Sequence, residues 1–127
     1  MWPKDGGNVG IGTTNPTLGP LQMGSGAYVT AGGVWTNASS RAYKDEIVDL
    51  PLDKALEALA GLNPVTYHYK ATEDERHVGF IAEDVPDLVA TRDRKGVSPL
   101  DIVAVLTKVV QRQQKDIEEL KSRLENR

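Results

Sequence analysis

Two different polymers are joined end to end in this chain. Residues 1–38 carry two charged side chains, Lys4 and Asp5, and nine of the twelve glycines; residues 39–127 hold the other 31 charged residues and three glycines. A nearly uncharged run such as Gly6-Gly7-Asn8-Val9-Gly10-Ile11-Gly12-Thr13-Thr14 buries too little apolar area to offset its own ordering entropy. It is either a set of short strands and tight turns that lean on neighbours, or a linker. Tyr28-Val29-Thr30 and Val34-Trp35-Thr36 flank Gly32-Gly33 with β-branched and aromatic residues, which favours strands. A domain boundary is therefore expected near residue 38. Only 39% of the residues are hydrophobic and one is Phe, against roughly 45–50% in an ordinary globular domain. A large core would need other chains to supply part of it.

Beyond the step, helix and strand signals alternate. Pro51 suits a first helical position, Ala55, Leu56 and Leu59 form an apolar stripe, and Gly61 falls where a C-terminal cap belongs, so the spacing predicts a short helix. Asn63-Pro64 breaks the chain, and Val65-Thr66-Tyr67-His68-Tyr69 and His77-Val78-Gly79-Phe80-Ile81-Ala82 read as strands. Glu73-Asp74-Glu75-Arg76 between them reads as a charged turn, giving a hairpin with a loop of several residues. After Pro86 and the turn Asp93-Arg94-Lys95-Gly96, Ser98-Pro99-Leu100-Asp101 offers a hydroxyl N-cap, Pro at N1 and an acid at N3, a strong helix start.

No Gly or Pro follows Pro99, which allows a helix of up to about 28 residues, roughly 42 Å long. Val103, Leu106, Val110, Ile117, Leu120 and Leu124 follow a 3-4 spacing, with Gln113 at the intervening core position. This is a heptad seam about three repeats long. Ile102, Val105 and Val109 add a second apolar flank to the first half only. The first half is therefore expected to dock on the domain and the second half to associate with copies of itself. Gln113 would form a buried polar layer that sets register or oligomer number at some cost in stability. So short a seam is marginal alone, and the rest of the domain is expected to contribute to the oligomer.

Several functions are excluded by what the chain lacks. A net charge of −3 gives no basic footprint for nucleic acid. There is no cysteine, hence no disulfide framework and no thiolate metal site. His68 and His77 show no HxxH or HExxH spacing, so neither metal nor cofactor is expected, and both read as surface or hydrogen-bonded structural histidines. No run of 18 apolar residues occurs and the first 20 residues lack the apolar core of a signal peptide, so no membrane partner is expected. Gly10-Ile11-Gly12 has no following Lys-Ser/Thr and no strand–helix context, which excludes a phosphate loop. Asn37-Ala38-Ser39 is a formal glycosylation sequon without a secretory context.

What remains is Ser39-Ser40-Arg41-Ala42-Tyr43-Lys44, at the composition step. A serine hydroxyl is a poor nucleophile until a base takes its proton, and lysine can be that base when desolvation or a nearby cation lowers its pKa. Residues five apart meet only if the backbone turns between them. Arg41 would help to hold Lys44 neutral and a buried Tyr43 would fix the turn. On spacing alone, the same residues read equally as a solvated loop.

Gly26 to Ile47, with Ser39-Ser40-Arg41-Ala42-Tyr43-Lys44-Asp45-Glu46-Ile47 at its end, resembles the start of the C-terminal intramolecular chaperone domain of phage tail spikes, tail fibres and endosialidases, a self-cleaving peptidase domain found also in the myelin regulatory factor. The family pattern is Ser-Asp-x-Arg-x-Lys or Ser-Asp-Arg-x-x-Lys, followed by an acid and Ile. Ser39 and Lys44 match its dyad, Arg41 matches one form of its arginine, and Ser40 replaces the common Asp. Leu62-Asn63-Pro64-Val65-Thr66-Tyr67-His68-Tyr69-Lys70 and His77-Val78-Gly79-Phe80-Ile81-Ala82-Glu83-Asp84-Val85 are similar to two further blocks, although the family often has Gln where this chain has Glu83. The terminal helix is similar to a last block, and Asn8 to Pro16 to a segment that commonly precedes the domain in fibre proteins.

The resemblance implies an α+β fold: a small domain of short strands and helices, a Gly-rich β segment at the N-terminus, and a long C-terminal helix forming a trimeric coiled coil. It implies residues 1–38 as the C-terminal end of an upstream β-structured fibre and residues 39–127 as the chaperone, with 98–127 its oligomerising helix. The partners are then two further copies, giving a homotrimer, and the upstream fibre segment of the same polypeptide. The setting is a virion tail fibre or spike precursor made in the bacterial host cytoplasm, with the chaperone part released after cleavage. The cut is expected between Ala38 and Ser39, with Ser39 as nucleophile, Lys44 as general base, and His77, Arg41 and Glu83 as possible auxiliaries. A non-cleaving trimerisation and folding module is the alternative. A releasable domain of a membrane-tethered transcription regulator fits less well, because no membrane-spanning run is present.

Overall fold

The computed structural model describes residues 7–127. Residues 1–6, with Lys4, Asp5 and the start of the glycine-rich run, lie outside the described residues. The fold is α+β, as expected, and divides into two compact units, Met1–Val48 and Asp49–Arg127. The packing boundary thus falls about ten residues after the composition step.

The first unit is a four-stranded sheet of β1 (Val9–Ile11), β2 (Leu21–Met23), β3 (Tyr28–Val29) and β4 (Trp35–Thr36), in that order. β1 and β2 run parallel and the other pairs antiparallel. The strands expected on either side of Gly32-Gly33 are β3 and β4, with Tyr28 opposite Thr36 and Val29 opposite Trp35. A side chain at Gly24 would collide with the backbone of Gly12, so the loops after β1 and β2 approach this closely because residue 24 is glycine. Ala27 is the only buried residue among those described here, and Ile11, Val34 and Trp35 are exposed. Strands this short without an apolar face to cover them are weak by themselves, which is what the low charge and high glycine content predict.

The second unit holds α1 (Leu52–Gly61), β5 (Val65–Tyr69), β6 (Thr72–Gly79), a one-turn 3-10 helix at Asp87–Val89, and α2 (Pro99–Glu125). Its core is Ala55, Ala58, Val85, Val89, Ile102, Val105 and Val109, flanked by Leu50, Leu59, Leu62, Phe80, Ala90 and Val97. The stripe expected on α1 is corrected: the helix faces the core with Ala55 and Ala58, three residues apart, while Leu56 is exposed. Small side chains let a short helix lie close against its neighbour, and Leu56 in that position would hold the two apart.

The hairpin is also tighter than expected. Tyr69 pairs with Thr72, so only Lys70 and Ala71 turn the chain, and Glu73 to Arg76 lie within β6 instead of in a loop. Residues 72–76 are exposed, so a charged strand meets no desolvation penalty there. A register shift between His68 and Tyr69 absorbs the irregularity. Ser98 occupies the N-cap of α2 with Pro99 at N1, but its hydroxyl donates to Asp101 Oδ1 at 3.3 Å and caps no backbone N–H.

α2 presents two apolar faces. Ile102, Val105 and Val109 are buried in the core, whereas Val103, Leu106, Val110, Ile117, Leu120 and Leu124 are each at least 42% exposed. Val105 is 1% exposed, so Val105→Ala removes two packed methyl groups and is expected to lower stability by about 2 kcal/mol, read as a fall in the urea midpoint.

Candidate functional site

The local sequence bends the chain immediately after the composition step. Ser40 is the N-cap of a one-turn 3-10 helix at Arg41–Tyr43, and its hydroxyl accepts from the Ala42 N–H at 3.2 Å. This is the side-chain-to-backbone bond that favours serine at turns. Two backbone bonds close the turn, from Tyr43 N–H to Ser40 O at 3.0 Å and from Lys44 N–H to Arg41 O at 3.1 Å. Ser39 and Lys44 leave it on the same side, and Lys44 Nζ donates to Ser39 Oγ at 2.7 Å.

Both ends of this segment are tied to the sheet unit. Just upstream, Trp35 Nε1 of β4 donates to Asn37 Oδ1 at 3.0 Å, and Ala38 is half-buried between that bond and the turn. Just downstream, Tyr43 lies over Gly26: a Cβ built on that glycine would stand 3.4 Å from Tyr43 Cε2 and Oη. The buried Tyr43 expected from the sequence is corrected, because the side chain is 66% exposed, with its ring beside Gly26.

Of the residues singled out in the sequence, the structure brings together Ser39 and Lys44 and places Ala38 and Arg41 on either side of Ser39-Ser40. Arg41 contributes its carbonyl to the turn. His77 and Glu83 belong to the second unit. His77 lies mid-strand in β6, stacked on Tyr67 with ring centres 5.7 Å apart and edge-on to Tyr69 at 5.3 Å. Glu83 pairs with Lys95 at 3.2 Å. Its own backbone N–H and then the Lys95 ammonium hold its carboxyl below the usual carboxylate range. Such a pair contributes above the ordinary carboxylate pKa and is lost as the pH falls through the lowered value. Lys95→Gln is expected to raise the Glu83 midpoint, followed by carboxyl-carbon NMR, only part of the way back, because the backbone N–H remains.

Sequence reasoning missed Ser40 as the residue that caps the turn, Gly26 as the seat of Tyr43, and Lys95 as the partner of Glu83. The first carried a local signal, a serine two residues before the N–H that it accepts. The other two join residues 17 and 12 positions apart, with nothing in the intervening sequence to announce them.

No helix of the described residues is long and apolar enough to cross a membrane. No curated protein and no solved structure is similar enough to the chain to match it. The family model Peptidase_S74, described as chaperone of endosialidase, matches residues 39–91, beginning at the serine of the pair and ending before α2. Residues 39–91 of this chain are therefore similar to the chaperone-of-endosialidase family.

Proposed function

We propose that this chain trimerises and registers a phage tail fibre or spike, then cuts itself between Ala38 and Ser39. The observation that carries the cut is the 2.7 Å contact between Lys44 Nζ and Ser39 Oγ, at the first residue of the family match. Ser39 Oγ attacks the Ala38 carbonyl carbon while its proton passes to Lys44 Nζ, and the tetrahedral intermediate collapses with that proton delivered to the departing Ser39 nitrogen. An ester now joins Ala38 to Ser39 Oγ, and Ser39 has a free amine. Water then adds to the ester carbonyl, releasing the Ala38 carboxylate and restoring the hydroxyl.

A lysine accepts a proton only as the neutral amine, a form favoured by removal from water. Ser39 and Lys44 are exposed in the single chain, so the dry surroundings come from a second copy, which ties cutting to assembly. The exposed seam of α2 supports the same oligomer. Interchain β-fibres pair slowly and slip in register, and a trimer at their ends holds three chains at high effective concentration. Cutting afterwards removes the clamp and makes disassembly hard to reverse. The exposure of the pair is the observation that favours the second reading, a trimerisation module that never cuts. The intact-mass spectrum of freshly made protein, taken with light scattering, separates the two: an uncut trimer supports the module and a cut one the peptidase.

A further inference from the structure

We propose that Tyr43 is a positioning residue for the Ser39–Lys44 pair and that Gly26, in the turn between β2 and β3, is its seat, so that the pair is set only once the upstream sheet has formed. This rests on the self-cleavage reading above and adds what holds the site in place. Ser39 to Val48 fall in the same compact unit as β1 to β4.

A three-residue 3-10 helix has too few bonds to persist alone. Lysine is among the most flexible of side chains, and one exposed hydrogen bond does not freeze it. Something outside the turn must therefore hold it, and the ring of Tyr43, the residue before Lys44, lies beside Gly26 in the turn between β2 and β3. Its seat is itself fixed: the Gly26 N–H donates to Met23 O at 3.0 Å and the Met23 N–H to Ala27 O at 2.7 Å. Gly26 has φ +95, a left-handed conformation that other residues adopt only under strain. The bonds of the turn between β2 and β3 hold Gly26 in this shape. An unpaired sheet leaves Tyr43 without a seat, the turn free to open, and Lys44 out of reach of Ser39.

The test follows the rate at which the full chain splits, for wild type, Tyr43→Phe, Tyr43→Leu and Tyr43→Ala, by intact-mass spectrometry. Circular dichroism melts and light scattering confirm fold and assembly. Phe keeps the ring and is expected to split within about twofold of wild type. Ala is expected to be slowed roughly 10- to 100-fold, the usual consequence of a small misplacement of reacting groups, with Leu in between. Should Ala fail to fold, Leu decides. Hydroxylamine, which cleaves esters, is expected not to restore the Ala variant, because ester formation is the step that has slowed. Full rescue by hydroxylamine, or a folded Ala or Leu variant that splits at the wild-type rate, overturns the role of Tyr43 and leaves self-cleavage standing. A wild-type chain that stays whole under the same conditions overturns both.

Discussion

Freshly made chain is expected to split into pieces of about 4 and about 10 kDa, in proportion to residues 1–38 and 39–127 of a 13.8 kDa chain, while Ser39→Ala and Lys44→Ala each leave it whole. On the proposed mechanism, loss of the hydroxyl removes the nucleophile and loss of the amine removes the base in contact with it. Either change is expected to slow scission by roughly 10³-fold or more. Because the two act as a unit, the double variant is expected to be no slower than either single one. Neither side chain belongs to the core, so both variants are expected to melt as wild type does, and lost cutting cannot then be charged to lost folding. Scission that continues in either variant sinks the dyad. A Lys44→Arg chain, which keeps a cation but offers no neutral base, is expected to remain uncut as well.

The second large effect lies on α2. Leu120→Asp puts a carboxylate on the exposed seam, where Leu120 is 56% exposed in the single chain and has no part in the core. If the seam joins copies, the change buries three unpaired charges in one layer, a cost of several kcal/mol. The mass by light scattering is then expected to fall from three chains to one, with the melt of the α1–α2 core preserved, since Ile102, Val105 and Val109 face the other way. If a second copy dries the pair, cutting is expected to slow in the same variant. A Leu120→Asp chain of unchanged mass removes the seam from the account. One that becomes monomeric yet cuts at full rate shows that a single chain completes the site.

Much of this fold was legible because the signals that carry it are local. The strands around Gly32-Gly33, the start of α2 at Ser98-Pro99 and the two faces of that helix follow from spacings of two, three or four residues, which depend only on backbone geometry. The misreadings share a cause. Glu73 to Arg76 resembled a turn because charged residues usually avoid strands, yet an exposed hairpin carries them without penalty. Leu56 resembled a core residue because its apolar character says nothing of how closely another helix approaches.

The sequence by itself determined the composition step, the short strands before it, the long two-faced helix, and a serine and a lysine five residues apart at the junction. The tertiary structure alone decided that these two side chains meet, that the turn carrying them shares a compact unit with the sheet, and that Tyr43 lies beside a glycine 17 positions upstream. Periodicity and capping are written in neighbours a few residues apart, whereas such contacts exist only after the chain has been brought back on itself, and the path of that return is set by packing of all the elements together.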